Sequence, residues 1–138
     1  MSSIENVTGG AGDDAITGDG NANILNGGGG TDTLTGAGGT DRFVADTAGA
    51  VATITDFSTA GGEVLNIAAL LTGYSGSEAI ADFVQIAQVD SDTDGSTDDL
   101  SIRVDADGVG GDYVEAVVME NVSSDLTTLI GDGNLEVV

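Results

Sequence analysis

The chain has 138 residues and a formal net charge of −22, because 24 Asp and Glu residues face two Arg and there is no Lys or His. This charge leaves no basic surface for nucleic acids or anionic lipids, so we expect no nucleic-acid partner. The absence of His and Cys excludes Ser-His-Asp triads, reactive thiols, disulfides and ordinary zinc sites, whereas abundant carboxylates suit Ca²⁺. No apolar run approaches a membrane span and the start, Met1–Asn6, is polar, so we expect no membrane insertion and no signal peptide.

A period of nine residues organises the first third of the chain. Four abutting segments over residues 9–44 read GGAGDDAIT, GDGNANILN, GGGGTDTLT and GAGGTDRFV. The eighth position is always apolar, and its residues are Ile16, Leu25, Leu34 and Phe43. The sixth position carries a carboxylate or an amide, and its residues are Asp14, Asn23, Asp32 and Asp41. Each segment therefore predicts a Gly-rich turn followed by a short strand with one inward side chain, and two segments complete a coil of about 18 residues.

The remainder of the chain predicts more strands and a few short helices. Strands are expected at Ala52–Phe57, Glu63–Ile67, Phe83–Val89, Leu100–Val104 and Tyr113–Glu120, the fourth of them half-buried. Helices are expected over Ala68–Leu71, from an N-cap at Ser77 through Asp82, and from Ser123 or Ser124 to Gly131 with Leu126, Leu129 and Ile130 on one face. The predicted fold is mainly all-β: a short parallel β-roll over residues 1–44 and a β-rich capping subdomain over residues 45–138.

The repeat spacing predicts where oxygen ligands meet. Turns on the same edge of the roll lie about 18 residues apart, so we expect Asp14 to face Asp32 and Asn23 to face Asp41. Backbone carbonyls of the turns point into the same gaps, and six hard oxygens form a calcium cage. The pattern GGxGxDxUx is itself an established calcium-binding repeat. A flexible Gly-rich linker is the alternative, but linkers lack fixed apolar positions.

The repeats resemble those of RTX proteins exported by type I secretion. Thr53–Leu71 (TITDFSTAGGEVLNIAALL) resembles the segment that closes the roll in such proteins, and the whole chain is similar to the C-terminal secretion-target region of large RTX adhesins. The resemblance implies a right-handed roll and Ca²⁺ as the cofactor. It implies one calcium site at Gly10, Gly12, Asp14, Gly27, Gly29 and Asp32, and another at Asp19, Asn21, Asn23, Gly36, Gly38 and Asp41.

Two departures from the family pattern affect these sites. Asn23 offers a neutral oxygen in place of a carboxylate, so we expect the second site to bind calcium more weakly. Thr53, Glu63 and Asn66 stand where relatives often carry Asp, which weakens the case for a further site in the closing segment.

A second acidic constellation lies at Asp90–Asp98 (DSDTDGSTD). Asp90, Asp92, Asp94 and Asp98 occupy positions one, three, five and nine of a loop like that of an EF-hand. Position twelve is Ser101 instead of Glu and the flanks read as strands, so this is no EF-hand. A calcium-binding hairpin loop and a solvated acidic turn both stay open. Asp105, Asp107 and Asp112 favour a plain polar turn.

The resemblance implies a non-enzymatic calcium-folding module of a larger secreted protein, a cell-surface adhesin whose remainder lies upstream. It implies an uncleaved export signal in the C-terminal part, bound transiently by a type I secretion ABC transporter complex. We expect an extracellular monomer that stays unfolded while calcium is scarce. The final residues, Leu135–Val138, match the acidic-then-hydrophobic tail of some type I substrates and equally an ordinary edge strand.

The alternative function is that of a calcium-dependent polysaccharide-binding accessory module of a secreted enzyme, as in alginate-modifying RTX proteins. The charge of −22 opposes a polyanionic glycan but not a neutral one. Paired carboxylates also occur in glycosidases, yet three Phe and two Tyr leave little to stack a sugar. We therefore expect no enzyme activity.

Overall fold

Two sheets of short strands form the structure, a computed structural model that describes residues 5–109 and 111–138. The strands are β1 (Asn6–Thr8), β2 (Ala15–Thr17), β3 (Ile24–Asn26), β4 (Thr31–Thr35), β5 (Arg42–Val44), β6 (Val51–Ile54), β7 (Val64–Asn66), β8 (Val84–Val89), β9 (Asp99–Val104), β10 (Val114–Met119) and β11 (Leu135–Glu136). The helix α1 spans Leu126–Gly131, and single 3-10 turns span Ala68–Leu70 and Ile80–Asp82. The mainly β fold that the sequence predicts is confirmed.

The repeats form a parallel roll. Strands β1, β3, β5 and β7 pair in parallel in one sheet, and β2, β4 and β6 do so in the other. Leu25 lies opposite Val7 and Phe43 opposite Leu25, so successive coils are offset by 18 residues, as the period predicts. The eighth positions point inward, and Leu25, Leu34 and Phe43 are fully buried.

A third coil continues the roll with longer turns. Leu34 lies opposite Ile54 and Phe43 opposite Leu65, offsets of 20 and 22 residues. Both sheets therefore run without a break across residue 44, where the sequence pattern places the end of the repeats. Ile54 and Leu65 extend the same buried column as the repeat residues.

The C-terminal part supplies the next strand of each sheet. β10 pairs in parallel with β6, and β11 pairs in parallel with β7 at the sheet edge. β10, β9 and β8 then form an antiparallel meander that widens the second sheet. One buried cluster joins roll residues such as Leu34 with Ile102, Val117 and Leu129, so the roll and the C-terminal part share a core.

Three local predictions were wrong for identifiable reasons. The helix capped by Ser77 is reduced to the 3-10 turn, because the Glu78 carboxylate accepts the N–H and hydroxyl of Ser75 and holds a tight turn. The N-cap of α1 is Asp125, whose carboxylate accepts the Thr128 N–H at 2.9 Å, and not Ser123 or Ser124. β9 is more than half-buried because it lies between β8 and β10.

No helix within the described residues is long and apolar enough to cross a membrane.

Candidate metal centre

Each turn of the roll folds so that the position-six side chain lies over the position-one glycine. A Cβ on Gly27 would overlap Oδ2 of Asp32, and one on Gly36 would overlap Oδ2 of Asp41. The same overlap would occur between Gly18 and Asn23. Steric exclusion thus explains why glycine recurs at position one, because only a residue without a side chain leaves room for the position-six group.

Hydrogen bonds join the position-six groups of neighbouring coils. The N–H of Asp14 donates to Oδ1 of Asp32 at 3.0 Å, and the N–H of Asn23 donates to Oδ1 of Asp41 at 2.8 Å. In each predicted pair, the backbone of one residue thus contacts the carboxylate of the other. Within single turns, the Gly10 N–H donates to Oδ2 of Asp14 at 2.6 Å, and the Asp19 N–H donates to Oδ1 of Asn23 at 2.9 Å.

The other predicted ligands lie in the stacked turns. The carbonyl of Gly10 accepts the Gly29 N–H at 2.9 Å, and that of Asp19 accepts the Gly38 N–H at 3.0 Å. Gly12 lies against Gly30 of the next coil, and Asn21 donates both its N–H and its side-chain amide to Oδ1 of Asp19. Because a carbonyl oxygen has two lone pairs, these inter-coil bonds leave capacity for a cation.

Asp41 has a buried carboxylate oxygen without a donor. Its side chain is 1% exposed, and Oδ2 is the one buried side-chain N or O atom in residues 5–109 and 111–138 that has no hydrogen-bond partner. The nearby Gly36 and Ala37 N–H groups donate instead to Asp56, each at 2.8 Å. Burial raises the pKa of Asp41, and the negative charges of Asp56 and Asp19 raise it further, against a lowering by the Asn23 N–H. No cationic side chain of the described residues therefore pairs with the charged form of Asp41.

Glu63 continues the same column of acidic groups. It precedes β7 as Asp41 precedes β5, is 5% exposed, and accepts the Ser58 N–H at 2.6 Å. Burial raises the pKa of Glu63, and the charges of Asp56 and Asp41 add to this. The repeat pattern missed Asp56 and Glu63, since the closing turn is longer than the others. We name Asp19, Asp41, Asp56 and Glu63 the acidic edge of the roll.

The hairpin loop between β8 and β9 groups a different set from the predicted one. Ligand oxygens of Asp90, Asp92 and Asp99 lie within 4.8 Å of one another, and no other such group of three occurs in the described part of the chain. Asp98 and Asp94 lie outside this group, and Asp94 instead accepts the Ser96 N–H at 2.7 Å.

Asp99 is fully engaged in hydrogen bonds. Oδ2 accepts the Ser91 N–H at 2.7 Å and its hydroxyl at 2.6 Å, and Oδ1 accepts the Asn121 N–H at 2.8 Å. Burial alone would raise the pKa of Asp99, but these bonds outweigh it and the pKa lies below the ordinary value. Asp99 therefore fastens the hairpin to the end of β10 with donors of the protein itself.

Asp105 organises the next loop in a similar way. It is 3% exposed and accepts the N–H groups of Gly108 and Gly111, each at 3.2 Å. Burial opposes ionisation, but the hydrogen bonds from Asp107, Gly111 and Gly108 together hold the pKa of Asp105 below its ordinary value.

No protein-family model and no curated protein matches this chain.

Proposed function

We propose that the chain is a calcium-binding module of the RTX type, which holds Ca²⁺ between stacked turns of the roll and folds on binding it. The observation that carries the proposal is Oδ2 of Asp41, a buried carboxylate oxygen without a donor. Leaving a buried charge uncompensated costs several kcal/mol, so a charged oxygen in this position needs a cation. Asp56 and Glu63 add negative charge beside it.

The donor chemistry of the roll suits calcium. Its turns offer carboxylate, amide and backbone carbonyl oxygens, and Ca²⁺ takes six to eight oxygen ligands in flexible geometry. Asp14 and Asp32 would contribute to the first site, and Asn23 and Asp41 to the second, with the turn carbonyls predicted from the sequence. The second site lacks a carboxylate at Asn23, and the negative charges of Asp56 and Glu63 beside Asp41 compensate for part of that loss.

The charge of the chain supports a folding switch. At −22, self-repulsion opposes the compact state while calcium is scarce. Extracellular calcium sites have Kd values of about 10⁻⁴ to 10⁻³ M, and an ion that binds only the folded state stabilises it by mass action. Such a chain stays unfolded before export, so that it can pass through a transporter, and it folds outside the cell. We therefore propose a secreted, monomeric adhesin module that a type I ABC transporter complex exports.

Calcium titration of the whole chain, followed by calorimetry and far-UV circular dichroism, tests this function. We expect a coil-to-β transition between chelator and millimolar calcium. Asp41→Asn should weaken calcium binding about tenfold, a loss of about 1.4 kcal/mol. The matched control Asp132→Asn removes an exposed charge at the end of α1 and should leave binding unchanged. A fold indifferent to chelator, or equal calcium affinity of both variants, would contradict the proposal.

The export role has its own test. Deletion of residues 123–138 should abolish export by a type I machinery, since the resemblance places the signal in the C-terminal part. Unchanged export would count against the secretion role and leave the calcium sites untouched.

A further inference from the structure

A cavity of about 500 Å³ lies on the edge of the roll opposite the acidic edge. It separates the loop Thr47–Ala50 from the first residues of β10. β10 begins at Val114 but pairs with β6 only from Val117 onward, so no roll strand fills the space beside its first half. The gap is therefore a consequence of the pairing register, and its volume lies within the usual range for small-molecule sites, about 300 to 1,000 Å³.

One wall of the cavity is aliphatic. Leu70 and Ala116 form its buried part, and Val104 lies beside them. Val114 is 54% exposed, one of the few large apolar side chains that the described residues present to solvent. An exposed aliphatic side chain at the mouth of a concave apolar surface suits contact with an alkyl group. Among the described residues no aromatic ring lines the cavity, so these residues offer no stacking surface for a sugar.

Four carboxylates lie among the small and threonine residues that complete the lining. Asp105, Asp107, Asp112 and Glu115 line the cavity, and neither Arg does. Asp105 is committed to its own loop, and Glu115 accepts the Ser101 hydroxyl at 2.6 Å. Asp112 is exposed. These charges repel anions and attract cations, so the cavity combines an alkyl-binding wall with a cation-selecting rim.

We propose that this cavity binds a small organic cation with an aliphatic body, of the alkylammonium class. The ammonium group lies at the Asp107 and Asp112 rim, and the alkyl chain covers Val114, Leu70 and Ala116. Exposed ion pairs contribute little affinity by themselves, so the apolar contact supplies most of the binding and the carboxylates select the sign of the charge. The proposal does not depend on calcium binding by the roll.

The test uses the ¹⁵N-labelled whole chain in saturating calcium at constant ionic strength, with three probes followed by amide chemical shifts. Hexylammonium carries charge and chain, methylammonium carries charge alone, and hexanoate carries the chain with the opposite charge. We expect saturable shifts with hexylammonium alone, confined to residues 47–50, 104–107 and 112–116. Shifts of equal size with methylammonium or hexanoate, or shifts scattered over the roll turns, would overturn the proposal.

Paired variants separate the two parts of the site. Val114→Thr should weaken hexylammonium binding at least threefold, whereas Val109→Thr, at a 73% exposed position outside the cavity, should leave it unchanged. Asp112→Asn should weaken hexylammonium binding less, about twofold, and Asp132→Asn should leave it unchanged. Thermal unfolding in calcium verifies that each variant is folded. Equal effects within either pair would contradict a specific site.

Discussion

The roll and the C-terminal meander are both acidic, but they treat buried carboxylates differently. In the meander, the two oxygens of Asp99 accept hydrogen bonds from Ser91, Asp92 and Asn121. In the roll, one oxygen of Asp41 accepts a single N–H and the other accepts none. Hydrogen bonds lower the pKa of Asp99 although the residue is buried. Burial raises the pKa of Asp41, whose carboxylate accepts only one hydrogen bond. Missing hydrogen-bond donors, and not the density of acidic residues, therefore distinguish the site that we propose for a cation.

The largest expected effect comes from removing the Asp99 charge in the meander. Asp99→Asn would leave the donors of Ser91 and Asn121 poorly satisfied, so we expect a loss of about 3 kcal/mol in urea unfolding with saturating calcium. Asp98→Asn should change stability by no more than about 0.5 kcal/mol. Calorimetry should find the same number of bound calcium ions in both variants. If either variant bound one calcium ion fewer, the hairpin would be a calcium site after all.

The next effect concerns the glycine that makes room for Asp41. Gly36→Ala would place a methyl group on Oδ2 of Asp41, and we expect overpacking to cost about 2 kcal/mol in urea unfolding with calcium. Gly20→Ala is the matched control, since a Cβ there meets nothing within 4 Å, and it should stay within about 0.5 kcal/mol of the original chain. Equal losses would mean that backbone freedom, and not space, explains the repeat.

The acidic edge predicts an unusual pH dependence without calcium. Because the pKa values of Asp41 and Glu63 are raised in the folded state, that state binds more protons than the unfolded chain at pH values above the ordinary carboxyl range. Stability in chelator should therefore rise as the pH falls from neutral toward the ordinary carboxyl range, about pH 4. Below about pH 4 it should fall, since Asp99 and Glu136 have lowered pKa values and lose their contribution on protonation.

Far-UV circular dichroism in chelator across this pH range measures the effect. Glu63→Gln should flatten the rise between neutral and mildly acidic pH, because it removes one of the two titrating groups. A folded fraction that increases from pH 5 to pH 7 in chelator would contradict the assignment of unfavourable charge to the roll.

The smallest effect is expected where the two regions meet. Arg42 on β5 donates to Glu136 on β11, the one ion pair found among residues 5–109 and 111–138, and both side chains are about one-third exposed, at 36% and 37%. Arg42→Met should cost about 0.5 kcal/mol in low salt and less in high salt, as is usual for exposed pairs. Arg103→Met is the control. A loss above about 2 kcal/mol would mean that this pair holds the C-terminal strand in place.

Much of the roll could be predicted from the nine-residue period of the sequence. The prediction fails at the closing coil, where the turns are longer. The apolar eighth positions predicted the column from Leu25 to Phe43, because a fixed period makes local and global structure agree. The nine-residue period does not reach Glu63, because the last turn adds four residues to the offset between Asp41 and its successor, and the resemblance marked Glu63 only as a departure from the Asp of relatives. Only the strand register places Glu63 in the column.

The hairpin shows a second limit. Spacing like that of an EF-hand selected Asp98, but β8 and β9 pair Val89 with Asp99, so the side chain at the strand end closes the loop instead. A local pattern does not contain the register of two strands, and the choice between Asp98 and Asp99 depends on it.

Paramagnetic mapping tests the central contrast most directly. The ¹⁵N-labelled chain, folded in calcium, is titrated with a trace of a paramagnetic lanthanide, which takes the same oxygen ligands. We expect broadening of amides in residues 36–41 and 56–63 at the acidic edge, with residues 90–99 of the hairpin unaffected at the same ion concentration. Broadening that begins in the hairpin and spares the roll turns would contradict it.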